Sequence, residues 1–257
     1  MRRTALALGA VLVAALTGAC SGSSDPLLPD ARALADAASA ATVAGGSAKF
    51  STDVAAGTLV SHGQGQAKFA AGGTSLEMTT DYVGEPMELR LVAGQLYAKV
   101  PDSARDQVTG GKPWVRVSPD GSDPFSQVLG GSLAQLAEQN DPAHTLDQVR
   151  TAGTLATAER TELDGTGAEH YRVDVDLAKL GSQRPAGLPP GAIAPGTKVP
   201  LELWLDSAHR PLQLVLDLRP ILKDSPGARI TARYSAWGTP VAVQAPAADQ
   251  VGAFTAG

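Results

Sequence analysis

The sequence predicts an α+β protein built on one large antiparallel sheet that must curl, with helices available to fill its concave side. Three observations predict it. From Ser47 onward, short runs of alternating apolar and polar residues recur between glycine-rich turns, the pattern of antiparallel strands. Helical stretches before the first run and in the middle of the chain interrupt that pattern. The runs number about eleven, more than a flat open sheet carries comfortably, so strand twist must curl it.

The chain opens with Arg2 and Arg3, an apolar stretch from Ala5 to Leu16, and the small residues Thr17, Gly18 and Ala19 before Cys20. That order is the one a cleavable secretory signal uses, over residues 1–19. The apolar stretch is shorter than the ~20 residues a spanning helix needs, and no later run replaces it. A transmembrane helix is therefore not expected. The segment from Leu16 to Cys20 resembles a bacterial lipobox, with Thr17 where Leu is usual and Leu16 one place further out. Cys20 is the only cysteine, so no disulfide can form within the chain, and diacylation of its sulfur is the expected fate of an exported thiol. Two or three acyl chains anchor a protein stably where one does not. Residues 20–30 then read as the lipidated Cys and a linker.

Asp30 is the expected N-cap of an alanine-rich helix from Ala31 to about Ala44, ended by Gly45 and Gly46. Leu34, Ala37, Ala38, Ala41 and Val43 form its apolar face, small enough to lie close against a sheet. Strands are predicted near Ala48 to Ala55, Gly65 to Ala70, Ser75 to Tyr82, Met87 to Val92, Gln95 to Val100 and Trp114 to Val117. Met87, Leu89 and Leu91 alternate with Glu88 and Arg90, so one side of the sheet is apolar and the other wet. Asp123 and Pro124 start a mid-chain helix whose stripe carries Phe125, Val128, Leu129, Leu133, Leu136 and Ala137. Asn140, Asp141 and Pro142 restart a short helix with Leu146 and Val149.

Strands resume near Thr151 to Leu163, Glu169 to Leu177, Leu201 to Asp206, Leu212 to Leu218 and Arg229 to Trp237. Leu212, Leu214, Leu216 and Leu218 alternate strictly, with Gln213, Val215 and Asp217 opposite. Residues 181–200 hold five prolines and four glycines, a long connection that forms a lid or an exposed loop. The organisation is thus a single domain over residues 31–238 and an extended C-terminal tail over residues 239–257.

The chemistry that the sequence excludes is as informative as the pattern. Loss of residues 1–19 leaves nineteen basic against twenty-six acidic residues, a net charge of −7, which argues against a nucleic-acid partner. No nucleophile elbow, zinc-protease motif, phosphate loop or Cys/His metal spacing is present, so neither enzyme activity, metal nor cofactor is expected. His62, His144, His170 and His209 lie apart in sequence and suit surface positions. Gly165, Thr166 and Gly167 read as a hairpin turn between strands. Asp174 and Asp176 share the polar face of a strand. Aromatics are 4% of the chain. A curved sheet lined by short aliphatics either encloses an apolar cavity suited to acyl chains or packs shut, and composition leaves both open.

The order of Cys20, the early helix, Gly94-Gln95-Leu96-Tyr97-Ala98-Lys99, Lys112-Pro113-Trp114-Val115-Arg116-Val117 and Asp123-Pro124-Phe125-Ser126-Gln127-Val128-Leu129 resembles the LppX/LprAFG family of actinobacterial envelope lipoproteins. That family is similar in fold to the LolA/LolB lipoprotein carriers. The resemblance spans nearly the whole mature chain. It implies a U-shaped half-barrel of about eleven antiparallel strands with helices packed in the concavity. It also implies an apolar cavity for acyl chains of glycolipid or phospholipid, carried across the envelope by a protein anchored at the outer face of the cell membrane. By the same resemblance Leu89, Leu91, Leu96 and Val100 from the sheet, with Val128, Leu129, Leu133 and Leu136 from the helices, would line the cavity, and an envelope transporter is a candidate partner. The alternative is an envelope scaffold or sensor of the same fold with a filled core, binding a protein partner.

Overall fold

The computed structural model describes residues 26–56, 59–82, 85–118, 140–181 and 194–254. Cys20 with its signal, the mid-chain helix carrying Val128, Leu129, Leu133 and Leu136, and residues 182–193 of the Pro/Gly-rich segment lie outside the described residues. Three α-helices occur among the described residues: α1 (Ala31–Gly45), α2 (Arg105–Thr109) and α3 (Pro142–Ala152). The first six strands are β1 (Ser47–Ala56), β2 (Leu59–Ala70), β3 (Gly73–Tyr82), β4 (Glu85–Val92), β5 (Gln95–Lys99) and β6 (Trp114–Val117). They are followed by β7 (Gly153–Leu163), β8 (Thr166–Asp176), β9 (Lys198–Leu205), β10 (Pro211–Asp217), β11 (Arg229–Ser235) and β12 (Val251–Gly252).

All twelve strands belong to one open, curved sheet in the order β12, β6, β5, β4, β3, β2, β1, β11, β10, β9, β8, β7. Two meanders, β1 to β6 and β7 to β11, are joined where β1 pairs with β11, so the first and last long strands meet at the centre. β6 lies near one edge and β7 is the other edge, so Val117 and Gly153 stand toward opposite edges of the sheet. α3 leads directly into β7, and its Leu146, Val149 and Ala152 are buried in the same core as the apolar strand residues. α1 packs beside α3.

The eleven expected strands are present, and the tail adds a twelfth. β12 pairs parallel to β6, Val251 opposite Trp114, which makes the sheet mixed where sequence patterning predicts antiparallel pairing throughout. Such a two-residue pairing rests on backbone groups and leaves no side-chain periodicity to read. Gly252 is required there, because a Cβ would come within 2.6 Å of the Thr109 carbonyl oxygen.

Local chemistry explains the element boundaries. The Asp30 carboxylate accepts the Ala33 N–H at 2.8 Å, and Gly46 ends α1 at a φ of 71°. α1 buries Ala31, Leu34, Ala35, Ala38 and Thr42, whereas Val43 is 43% exposed. The buried face is therefore rotated from the expected one, following helical steps of three and four from Ala31 through Leu34 and Ala38 to Thr42. The strand expected from Thr151 begins at Gly153, because α3 runs through Ala152. Asp164 and Gly165 both take positive φ, 51° and 77°, and close the β7–β8 hairpin as a tight turn of the expected kind. The strict alternation expected from Leu212 is broken by a bulge between Pro211 and Gln213, which removes Leu212 from the core-facing set. β11 ends at Ser235, short of Trp237, where Ala236 turns the chain with a φ of 51°.

Candidate functional site

The sheet's core-facing side is built by register. A row of directly opposed residues runs from Ala98 through Leu89, Met78, Gly65 and Phe50 to Tyr234. A second half of the same face is supplied by Leu214, Leu203, Tyr171 and Val173, all buried. Gly65 is needed where the row is tightest: a Cβ there would overlap the Glu77 carbonyl oxygen and come within 2.8 Å of Phe50 Cζ.

The described cavity candidates share this face. Leu89, Leu96 and Val100 are buried at 0%, 4% and 3% exposure, and Leu91 is partly buried against the same cluster. β4–β5 pairing brings Leu91 opposite Leu96. Val128, Leu129, Leu133 and Leu136 lie outside the described residues.

A small polar group interrupts this aliphatic surface, and sequence reasoning missed it. Thr52 on β1 donates its hydroxyl to Asn140 Oδ1, and Asn140 Nδ2 donates to Met78 Sδ at 3.6 Å. Next to Asn140, the Asp141 carboxylate caps α3 by accepting the Ala143 N–H at 3.0 Å. Burial pushes this carboxyl above its usual range, against the opposing hydrogen bonds from Thr74 and Ala143. Tyr234 on β11 is 4% exposed, and among the described residues its hydroxyl has no hydrogen-bond partner. Burial first, and then the Asp141 charge, push that phenol above its ordinary range. The available signal was the strand parity of Thr52 and Tyr234, which sets polar atoms on the apolar side.

The opposite face is polar. An open cleft of about 630 Å³ lies there between Lys49, Gln64, Arg233 and the β7–β8 turn at Asp164, with the bulged Leu212 on its wall. It too was invisible to patterning, because its walls come from non-adjacent segments. Farther along, Glu88 pairs with Arg90 at 2.7 Å and Lys99 at 2.9 Å, and the Arg90 guanidinium lies 4.5 Å over the Trp114 ring. Burial raises the Glu88 carboxyl, but Lys99 and Arg90 outweigh it and hold the group below its usual range. Arg90 also donates to the Gln244 carbonyl at 3.4 Å, tying the tail to this face.

Two histidines meet acids. His170 lies 3.2 Å from both Glu159 and Glu202 and stacks on Trp204, with ring centroids 4.3 Å apart. His209 lies 3.7 Å from Glu169, which also accepts the Tyr171 hydroxyl at 2.7 Å. Burial and Glu169 push the Tyr171 phenol up to about 12. Among the described residues neither histidine bonds a serine, threonine or cysteine, and no group of three or more His, Cys, Asp or Glu is arranged to hold a metal ion. His62 pairs with Asp53 at 2.8 Å on the exposed side, and His144 contacts Gln148 at 3.1 Å on α3. Asp174 stands on the polar face, and Asp176 accepts the Ala178 N–H at 3.0 Å. Among the described residues no helix is long and apolar enough to cross a membrane.

No protein-family model matches the sequence, and comparison with curated proteins gives no match. Solved structures do match. LprF from Mycobacterium bovis is 16% identical, with a TM-score of 0.50 over 84% of this chain and 97% of that one. The Mycobacterium tuberculosis lipoprotein LppX is 14% identical, with a TM-score of 0.50 over 83% of this chain and 98% of that one. The twelve-stranded open sheet with helices against its apolar side is the fold of LprF and the lipoprotein LppX.

Proposed function

We propose that this chain is a non-enzymatic envelope lipoprotein, anchored through Cys20 at the outer face of the cell membrane. It binds acyl chains of a glycolipid or phospholipid on the apolar face of the sheet and carries them across the envelope, with an envelope transporter as donor or acceptor. One observation carries the reading: the apolar face extends across the sheet from β6 to β8, interrupted by the Thr52–Asn140 group, and is covered by helices instead of a second sheet. Helices can move apart from a sheet without breaking its hydrogen bonds, so the face can admit a chain. Each methylene buried there contributes ~0.8 kcal/mol and needs no polar partner.

The test is organic extraction of the mature protein purified without detergent, followed by uptake from labelled phospholipid vesicles. Recovery of a stoichiometric diacyl or triacyl lipid is expected. Neither co-purifying lipid nor uptake would overturn the reading. The second reading, a scaffold or sensor that binds a protein partner, is favoured by the fully buried Leu76, Leu89 and Leu203, which suit a filled core. Crosslinking that recovers one protein, with no lipid bound, would select it.

A further inference from the structure

The Tyr234 hydroxyl poses a specific problem. A buried polar group left unpaired costs ~1–3 kcal/mol, and native proteins rarely keep one without a use. Tyr234 stands on the apolar face, opposite Phe50 and two residues from Ala232, which faces Thr52. Thr52 and Asn140 hydrogen-bond each other, and neither pairs with the Tyr234 hydroxyl. On its β1 side Tyr234 is in register with Phe50, while on the β10 side the pairing ends at Gln213 opposite Arg233, next to the bulge between Pro211 and Gln213.

We propose that Tyr234 is the polar anchor of the acyl site, its hydroxyl donating a hydrogen bond to the ester carbonyl of a bound acyl lipid. This rests on the acyl-binding reading above and names the chemical class of ligand. A neutral phenol at this depth can only offer a proton to an acceptor or accept from a donor. Acyl chains supply acceptors and no donors, and the acceptor nearest the hydrocarbon is the ester carbonyl. The half-buried Asp141 carboxyl, whose charge reaches the Tyr234 phenol, disfavours a second carboxylate, so an ester is preferred over a free fatty acid. The hydrocarbon would lie along the aliphatic row toward Leu89, with the carbonyl at Tyr234 marking how deep the chain enters.

The experiment compares two probes that differ only in that carbonyl. The whole mature chain carrying Cys20→Ser is equilibrated with vesicles of diacyl phosphatidylcholine or of its dialkyl-ether counterpart with equal chain lengths. The expected result is a ~5–10-fold preference for the ester. Tyr234→Phe should lower ester affinity to the ether level and leave ether affinity unchanged. Infrared spectra of carbonyl-labelled ester should show a hydrogen-bonded carbonyl band in the wild type that Tyr234→Phe abolishes, a readout independent of affinity. Equal binding of ester and ether by the wild type overturns the proposal while leaving the acyl-binding reading intact. A preference that survives Tyr234→Phe overturns it as well, as does a loss of lipid-free stability in that variant, which would show the hydroxyl satisfied by a buried water. Binding of neither probe defeats both readings together.

Discussion

Adjacent residues of β4 are held by different physics. Leu89 is fully buried beside Met78 and Ala98, while Glu88, one step along the strand, sits in a charge network with Arg90 and Lys99. The apolar side gains stability from area removed from water and from close packing, so its residues are sensitive to shape. The polar side gains little from each ion pair, so its residues are sensitive to salt and pH. The contrast teaches that the fold is specified from one face, leaving the other free to carry a tail, a cleft and charge.

Four substitutions test this contrast, from large effects to small. Gly65→Val should abolish the folded state, since its first side-chain carbon already overlaps the Glu77 carbonyl; loss of the near-ultraviolet circular dichroism signal is the readout. Leu89→Ala should cost about 2–5 kcal/mol in urea unfolding, and a cost under about 1 kcal/mol would break the claim that this side sets stability.

Asp141→Asn should act in the other direction and more weakly. Asn keeps the cap on α3, while the half-buried charge is removed. The folded carboxyl holds its proton to higher pH than the ordinary value of 3.8, so the folded state binds more protons in that window and stability falls as pH rises through it. The variant should therefore be the more stable at pH 7, with the difference shrinking as the pH falls toward the ordinary carboxylate value. A variant less stable at neutral pH would mean that the charge is stabilised by groups beyond Thr74, Ala143 and His144.

Glu88→Gln should have the smallest effect, at most about 1 kcal/mol, vanishing at high salt. Its carboxyl is held below the usual value of 4.5, so its contribution is present above that value and is lost as pH falls through the lowered one. Urea unfolding in low and high salt, repeated at acidic pH, checks both.

What the sequence made legible follows the same division. Alternation over Met87 to Leu91 and the glycine turns at Gly94 and Gly165 set the strands and which residues share a face, because side-chain period and turn chemistry are local. Asp30 and Asp141 marked the starts of α1 and α3 for the same reason. The Leu212 bulge was hidden because four leucines in alternation also fit a strand without one. The start of β2 was hidden by His62, Gly63, Gln64 and Gly65, which carry no apolar rhythm. The group of Thr52, Asn140 and Tyr234 comes from segments far apart in sequence and depends on β1 pairing with β11. That β6 and β7 stand near and at opposite edges of the sheet was likewise a matter of strand order.

The central claim is that the apolar face holds acyl chains. Native mass spectrometry of the mature chain carrying Cys20→Ser, purified without detergent from a host rich in envelope lipids, tests it most directly. The account predicts an added mass that denaturation releases as a diacyl or triacyl lipid. A bare protein mass, repeated after incubation with the host's lipids, would contradict it and leave the filled-core scaffold as the better description.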